Sequence, residues 1–360
     1  MSFAIYRLPH AECCTLIRQT DGTPQELTAI SELNGRQGFV VAPFAISKEC
    51  PLVLIRPDEV ATMRCDEELT VEDWESPTGE PEVCRLRTQS LRVGNPTRAD
   101  YASDFARFHG QVTTGALRKV VLSRCDMLRR SSGDSPWKLF QKACRLYPRL
   151  FVAMTYTPQS GLWIVATPEL LLEGEGDEWR TIALAGTMRL EGDELRGEGE
   201  HLRWSTKNIE EQRLVGTYIE ECLRPFCNDI VQEGPRTVRA AHLVHLRSDF
   251  TFRTKEDVRT GDLLQALHPT PAVCGLPKDE ARRFILANEH TPRLYYSGFM
   301  GPLAVQDATR LYVSLRCMQM TPTAYRLYAG GGLLRDSEED QEWYETEAKM
   351  QTMRRLVADE

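Results

Sequence analysis

A chain of 360 residues with 52 acidic against 44 basic side chains and no long Lys/Arg block is poorly suited to nucleic acid or an anionic membrane surface, so a small anionic substrate would need its own local cations. Its 11 cysteines are odd in number, scattered and without CxxC spacing, which suggests reduced thiols rather than a disulfide framework or a zinc site. His10 and Glu12 break the N-terminal apolar run and no stretch approaches the ~20 apolar residues of a membrane span, so a soluble cytoplasmic protein is expected.

Residues 1–72 read as short strands and turns, with apolar runs at 39–44 and 52–55. Residues 72–100, rich in Pro, Gly and charge, read as a surface connection. Tyr101, Phe105, Phe108 and Val112 then recur at helical spacing through 101–117. Segments 119–124, 151–156 and 162–166 are β-branched or aromatic runs, whereas 136–147, 204–223, 279–287 and 338–357 have helical patterns. Strands arriving in neighbouring runs, separated by groups of helices, predict an α+β fold with largely antiparallel sheets rather than βαβ alternation. One compact unit is expected, residues 1–98 being its strand-rich first part and 99–360 carrying the chemistry.

Near the C-terminus, Glu342, Glu345 and Lys349 fall at helical spacing on one face. By itself such a face is an ordinary solvated ion-pair surface. Glu211, however, shares the stripe of Leu214, Val215, Tyr218 and Cys222 on the 208–223 helix, so its carboxylate should turn inward and require a cation. Two inward glutamates from separate helices, Glu211 and Glu345, suit magnesium, a hard ion that keeps several waters.

Strand alternation places Lys119, Val121 and Ser123 on one face of the 119–124 run. Glu169 lies between the apolar runs 162–166 and 170–172, where a carboxyl can be buried and protonated. A lysine base beside a protonated glutamic acid suits adding water at one carbon while a hydroxyl leaves another. The glycines at 186 and 330–332 could admit an anion to backbone N–H groups, but neither set has nucleotide-loop spacing. Arg316, at the end of an apolar run, is a candidate carboxylate fork. His268 stands beside Pro269 and Pro271, which fix the backbone around it. The His242–His245 spacing resembles a metal pair but lacks a nearby acid, so packed histidines fit better.

Taken in order, the runs KVVLSR from Lys119, TPELLL from Thr167 and LHPTPAVCGLP from Leu267 resemble the chorismate-utilising enzymes. That family includes isochorismate synthase, salicylate synthase, anthranilate synthase component I and aminodeoxychorismate synthase. The resemblance spans about residues 100–357 and is most specific for isochorismate synthase. It implies two antiparallel sheets packed as a sandwich with helices outside, the site lying between them beneath the helices of Glu211 and Glu345. It further implies that Lys119 activates water for attack at C2 of chorismate and that Glu169 protonates the departing C4 hydroxyl. Glu211 and Glu345 would bind Mg2+, with Glu342 a direct or water-mediated partner. Gly186, Thr187, Tyr296, Arg316, Gly331 and Lys349 match positions that hold the substrate carboxylates, and His268 matches one lining the reacting ring.

One type of aminodeoxychorismate synthase carries a nucleophilic lysine where this chain has Ala185, so water is the expected nucleophile. Salicylate synthase is the rival reading, since it shares the base, acid and metal positions and then eliminates pyruvate. The family commonly has Lys–Asp and Glu–His where this chain has Lys207–Asn208 and Glu211–Gln212, which raises a third reading, a catalytically weakened chorismate-binding subunit. The expectation is therefore a magnesium-dependent isochorismate synthase, monomeric or weakly dimeric, serving menaquinone or, second, a catechol siderophore.

Overall fold

The computed structural model describes residues 1–67, 82–88, 96–130, 134–189, 202–240 and 243–358. Among these, two nine-stranded sheets form. The first runs in the order β14 (Gly275–Leu276), β7 (Lys119–Arg129), β18 (Ala324–Leu333), β17 (Cys317–Met320), β9 (Gly161–Thr167), β8 (Phe151–Thr157), β1 (Ser2–Arg7), β2 (Cys13–Gln19), β6 (Glu59–Arg64). The second runs β12 (Cys227–Ala240), β13 (Leu243–Thr254), β11 (Glu178–Arg189), β10 (Leu170–Glu175), β16 (Thr309–Val313), β15 (Phe299–Leu303), β4 (Gly38–Ala42), β5 (Leu52–Ile55), β3 (Gln25–Leu27). The ladders are antiparallel, as the grouping of strands predicts.

The helices are α1 (Glu82–Thr88), α2 (Arg98–Thr113), α3 (Pro136–Leu146), α4 (Thr206–Leu223), α5 (Thr260–Leu267), α6 (Lys278–Asn288) and α7 (Glu339–Val357). Local chemistry sets several starts. Thr97 and Asp100 form a reciprocal capping box on α2, with Asp100 Oδ2 accepting from Thr97 N at 2.8 Å. Ser135 caps α3, whose first residue is proline, and Ser205 caps α4 by accepting from Asn208 N at 3.2 Å.

The apolar core lies between the sheets, where Phe151 of β8 stacks on Tyr312 of β16 at 4.1 Å between ring centroids. A second apolar layer joins α4 and α5 to the outer face of the second sheet, and a third joins α3 and the end of α7 to the outer face of the first. Within the segment expected to be only a surface connection, α1 forms and buries Cys84 against Gln319 of β17. That apolar anchor is invisible to composition; the rest of 72–95 and His242 lie outside the described residues. No helix among the described residues is long and apolar enough to cross a membrane.

Candidate active site

The site opens where β7 and β18 of the first sheet face β11 and β13 of the second. Alternation along β7 turns Lys119 and Val121 inward, while Val120 and Leu122 pack under α2 and α6. Lys119 is fully buried and its Nζ lies 2.8 Å from Oε1 of Glu211, delivered by α4 from across the cleft. The other oxygen, Oε2, accepts from Gly186 N at 3.1 Å. Gly186, at φ +66°, forms a bulge that breaks the β11–β13 register and aims its N–H at the carboxylate. Burial disfavours the Glu211 carboxylate, but the charge and hydrogen bond of Lys119, backed by Lys349 and Lys207, hold it below its ordinary value.

Two further lysine–glutamate pairs lie alongside. Lys207, one turn before Glu211 on α4, bonds the buried Glu342 of α7. Lys349 Nζ lies 2.7 Å from Glu345 Oε1 and donates to Gly330 O at 2.8 Å. Burial and then the neighbouring Glu345 charge push Glu342 up to about 7 against the pull of Lys207. Its Oε2 is buried without a hydrogen-bond partner. All three carboxylates crowd one strip of backbone: a Cβ at Gly331 would stand 2.8 Å from Glu342 Oε2 and 3.8 Å from Glu345 Oε1, and one at Gly332 would strike Glu211. Only glycine admits them. An oxygen-only donor set with an orphaned carboxylate oxygen fits a hard divalent cation. No three His, Cys, Asp or Glu side chains among the described residues stand in coordinating array; ammonium groups balance the carboxylates instead.

Glu169 is held in the short link between β9 and β10, its main chain fixed by Val313 N donating to Glu169 O at 2.9 Å. Burial raises its carboxyl to about 7 despite Lys119 and the Thr270 hydroxyl, which donates to Oε1 at 3.4 Å. It therefore keeps its proton up to about pH 7. Arg316 takes a left-handed conformation, φ +47°, costing about 1–2 kcal/mol for a residue with a side chain. Its guanidinium donates to Ala240 O at 2.9 Å and to His245 Nε2 at 2.6 Å. Because His245 Nδ1 meets Gly186 O at 3.1 Å, the proton resides on Nδ1 and Nε2 is the acceptor. His245 thus ties the Gly186 bulge to Arg316. Burial lowers Arg316 to about 10, which leaves it charged.

The cleft is a narrow cavity of about 60 Å³ between the sheets. Glu169, Gly186, Thr187, Glu211, Tyr296, Arg316 and Lys349 line it. Four expected residues do not: Lys119 and Glu345 meet it only through their ion pairs with Glu211 and Lys349, and His268 and Gly331 stand apart. His268 packs edge-on against Phe299 at 5.0 Å, outside the lining, and burial drives its imidazole down to about 3, hence neutral. The segment reaches the site instead through Thr270, Ala272 and Val273. Gly331 turns toward α7, while Gly330 and Gly332, one step either side, wall the cavity with Tyr328. Strand alternation required this, but only the β7–β18 register, with Gly331 opposite Leu122, reveals which parity faces in. His245 and Lys207 escaped assignment because their partners are remote in sequence.

A buried lysine–glutamate pair, a neutral carboxylic acid and a clamped arginine in one cleft define an enzyme that moves protons on a small, anionic substrate. A family model described as "Chorismate binding enzyme" matches residues 54–358. The chain belongs to that family. It is 29% identical over 274 residues to isochorismate synthase EntC of Escherichia coli, covering 74% of this chain and 70% of EntC. With isochorismate synthase MenF of Escherichia coli it shares 32% over 250 residues, covering 68% of this chain and 57% of MenF. The solved structure of the menaquinone-specific isochorismate synthase MenF from Escherichia coli superposes with a TM-score of 0.77 at 22% identity, covering 99% of this chain and 89% of that one. At that identity the superposition speaks for the fold, the two-sheet α+β sandwich expected.

Proposed function

We propose that this protein is a magnesium-dependent isochorismate synthase, an isomerase that adds water at C2 of chorismate and expels the C4 hydroxyl. The observation that carries the reading is the opposition of Lys119, paired with Glu211, and a Glu169 carboxyl kept neutral by burial. Lys119, as the free amine it becomes when Glu211 turns to another cation, takes the proton from the attacking water; Glu169 delivers one to the departing hydroxyl. Arg316, Lys349 and Thr187 beside the Gly186 bulge receive the substrate carboxylates, and Tyr296 stacks on Tyr328 at 5.6 Å behind them.

Glu211 and Glu345 would hold Mg2+, Glu342 supporting it through its free Oε2. When bound, the ion neutralises and orients the ring carboxylate. Ala185 lines the cleft with a methyl group, leaving no amine there for covalent attack, which favours water as nucleophile. Gln212 donates to Ala183 O at 3.1 Å and Ser248 Oγ at 3.2 Å, and Asn208 packs beneath the Gly186 bulge. Both departures from the family pattern thus have structural partners, which speaks against a weakened binding subunit. Menaquinone biosynthesis is the proposed destination of the product, and the neighbouring genes test it, since the chain is 32% identical to MenF and 33% to a salicylate-biosynthesis isochorismate synthase of Pseudomonas aeruginosa.

The test is chromatography of purified protein with chorismate, with and without magnesium, resolving isochorismate, salicylate, pyruvate and anthranilate. Isochorismate alone, formed only with the metal, is expected. Salicylate with pyruvate would replace the reading by salicylate synthase, and no product at any metal concentration would reduce the protein to a binder.

A further inference from the structure

Away from the cleft, three thiols meet on the outer face of the first sheet. Cys14 belongs to β2, Cys144 to α3, and Cys65 follows the last residue of β6. The β2–β6 register sets Cys14 opposite Met63, so Cys65 lies diagonally from it on the same face. Cys65 N donates to Glu12 O at 3.2 Å, and Gln141 Nε2 of α3 donates to Cys65 O at 3.1 Å, which holds Cys65 against the helix one turn from Cys144. Cys14 and Cys144 are buried in the apolar layer beneath α3, while Cys65 packs at its margin and is partly exposed. Cys14 Sγ donates to Met63 O at 3.6 Å, and the Cys65 thiol lies near both Cys14 and Cys144.

A buried cation completes the cluster. Arg7, 2% exposed, donates to the carbonyls of Pro148, Tyr147 and Leu150 at 2.7 Å each, and its charge acts on Cys65. The nearness of Cys14 and then Cys144 draws the Cys65 thiol below its ordinary range, and the same contacts push the other two up. The reachable sulfur is thus the one with thiolate character.

We propose that Cys65 and Cys144 form a thiol–disulfide pair that closes on exposure to a hydroperoxide, with Cys65 as the sulfur that reacts first. The Cys65 thiolate attacks the terminal peroxide oxygen: an S–O bond forms, the O–O bond breaks, and the released hydroxide or alkoxide takes up a proton. Sulfur loses two electrons and the peroxide gains them, leaving a sulfenic acid. The Cys144 sulfur then attacks Cys65; S–S forms, S–O breaks, and the hydroxyl leaves with the Cys144 proton as water. Cys144 is the partner because diagonal strand neighbours keep Cα atoms about 7–8 Å apart, beyond the roughly 4.4–6.8 Å a disulfide spans. The ladder therefore withholds Cys14, whereas no ladder separates Cys65 from α3.

The full chain, reduced and freed of reductant, is titrated with hydrogen peroxide and followed by intact mass and peptide mapping. Loss of two hydrogens, a single Cys65–Cys144 cross-link and full reversal by dithiothreitol are expected; Cys144→Ser should instead leave a Cys65 sulfenic acid that dimedone traps. If that variant fails to fold, alkylation of the native chain decides: at pH 6 iodoacetamide should label Cys65 at least tenfold faster than the exposed Cys13. Oxidation confined to Cys13, a Cys14–Cys65 link, or a zinc ion retained in native mass spectra would overturn the proposal.

Discussion

Replacing Glu169 by glutamine separates its catalytic role from its cost to the fold. The carboxyl rises from its ordinary 4.5 to about 7 because the folded protein surrounds it with apolar groups. Between those pH values the folded state binds the extra proton, so stability falls as pH climbs from 4.5 to 7 and stays reduced above. The difference corresponds to about 3 kcal/mol at pH 8, where the wild type carries a buried charge that glutamine lacks. Glutamine keeps the shape and can accept from Thr270 as the acid does. Glu169→Gln should thus lower turnover by about 10²–10⁴-fold while raising the urea midpoint at pH 8, with the two proteins converging at pH 5. Paired urea titrations at the two pH values, beside product chromatography, are the assay. An equal midpoint at pH 8, or a gain of the same size at pH 5, would show that burial does not set this carboxyl's protonation, and the acid role would fall with it.

Wild-type turnover should decline as pH rises through about 7, the range in which Glu169 loses its proton, and a rate flat to pH 9 would exclude it as the acid. Lys119→Ala should abolish isochorismate formation and also destabilise the fold by about 3–5 kcal/mol, since it strands the Glu211 carboxylate; calorimetry showing no loss would mean the buried pair opens in solution. Glu345→Gln should raise the magnesium needed for half-maximal rate at least tenfold and weaken the ion's calorimetric binding, whereas an unchanged titration would move the ion elsewhere. Gly332→Ala should inactivate the enzyme, because its Cβ would stand 2.8 Å from Lys119 Cε and strike Glu211; near-normal turnover would refute the close packing of those side chains on β18.

Short-range patterns in the chain settle the local half of the site. Helical spacing puts Glu342, Glu345 and Lys349 on one face of α7, and alternation puts Lys119 and Val121 on one face of β7; both follow from backbone geometry that neighbouring residues carry with them. The apolar stripe of α4 likewise turns Glu211 toward the sheets. The grouping of strands and helices by itself identifies an α+β architecture with antiparallel sheets. What only the tertiary structure decides is which charge meets which. Lys119 pairs with Glu211 and Lys207 with Glu342 because α4, α7 and β7 converge across two sheets, and no local pattern encodes that crossing. The β7–β18 register chooses Gly330 and Gly332 over Gly331 for the cavity, Phe299 packs beside His268, and β2, β6 and α3 bring three scattered cysteines together. Period and propensity act over a few residues, whereas these contacts depend on how whole elements bury their apolar faces against one another, which is set by the packed core.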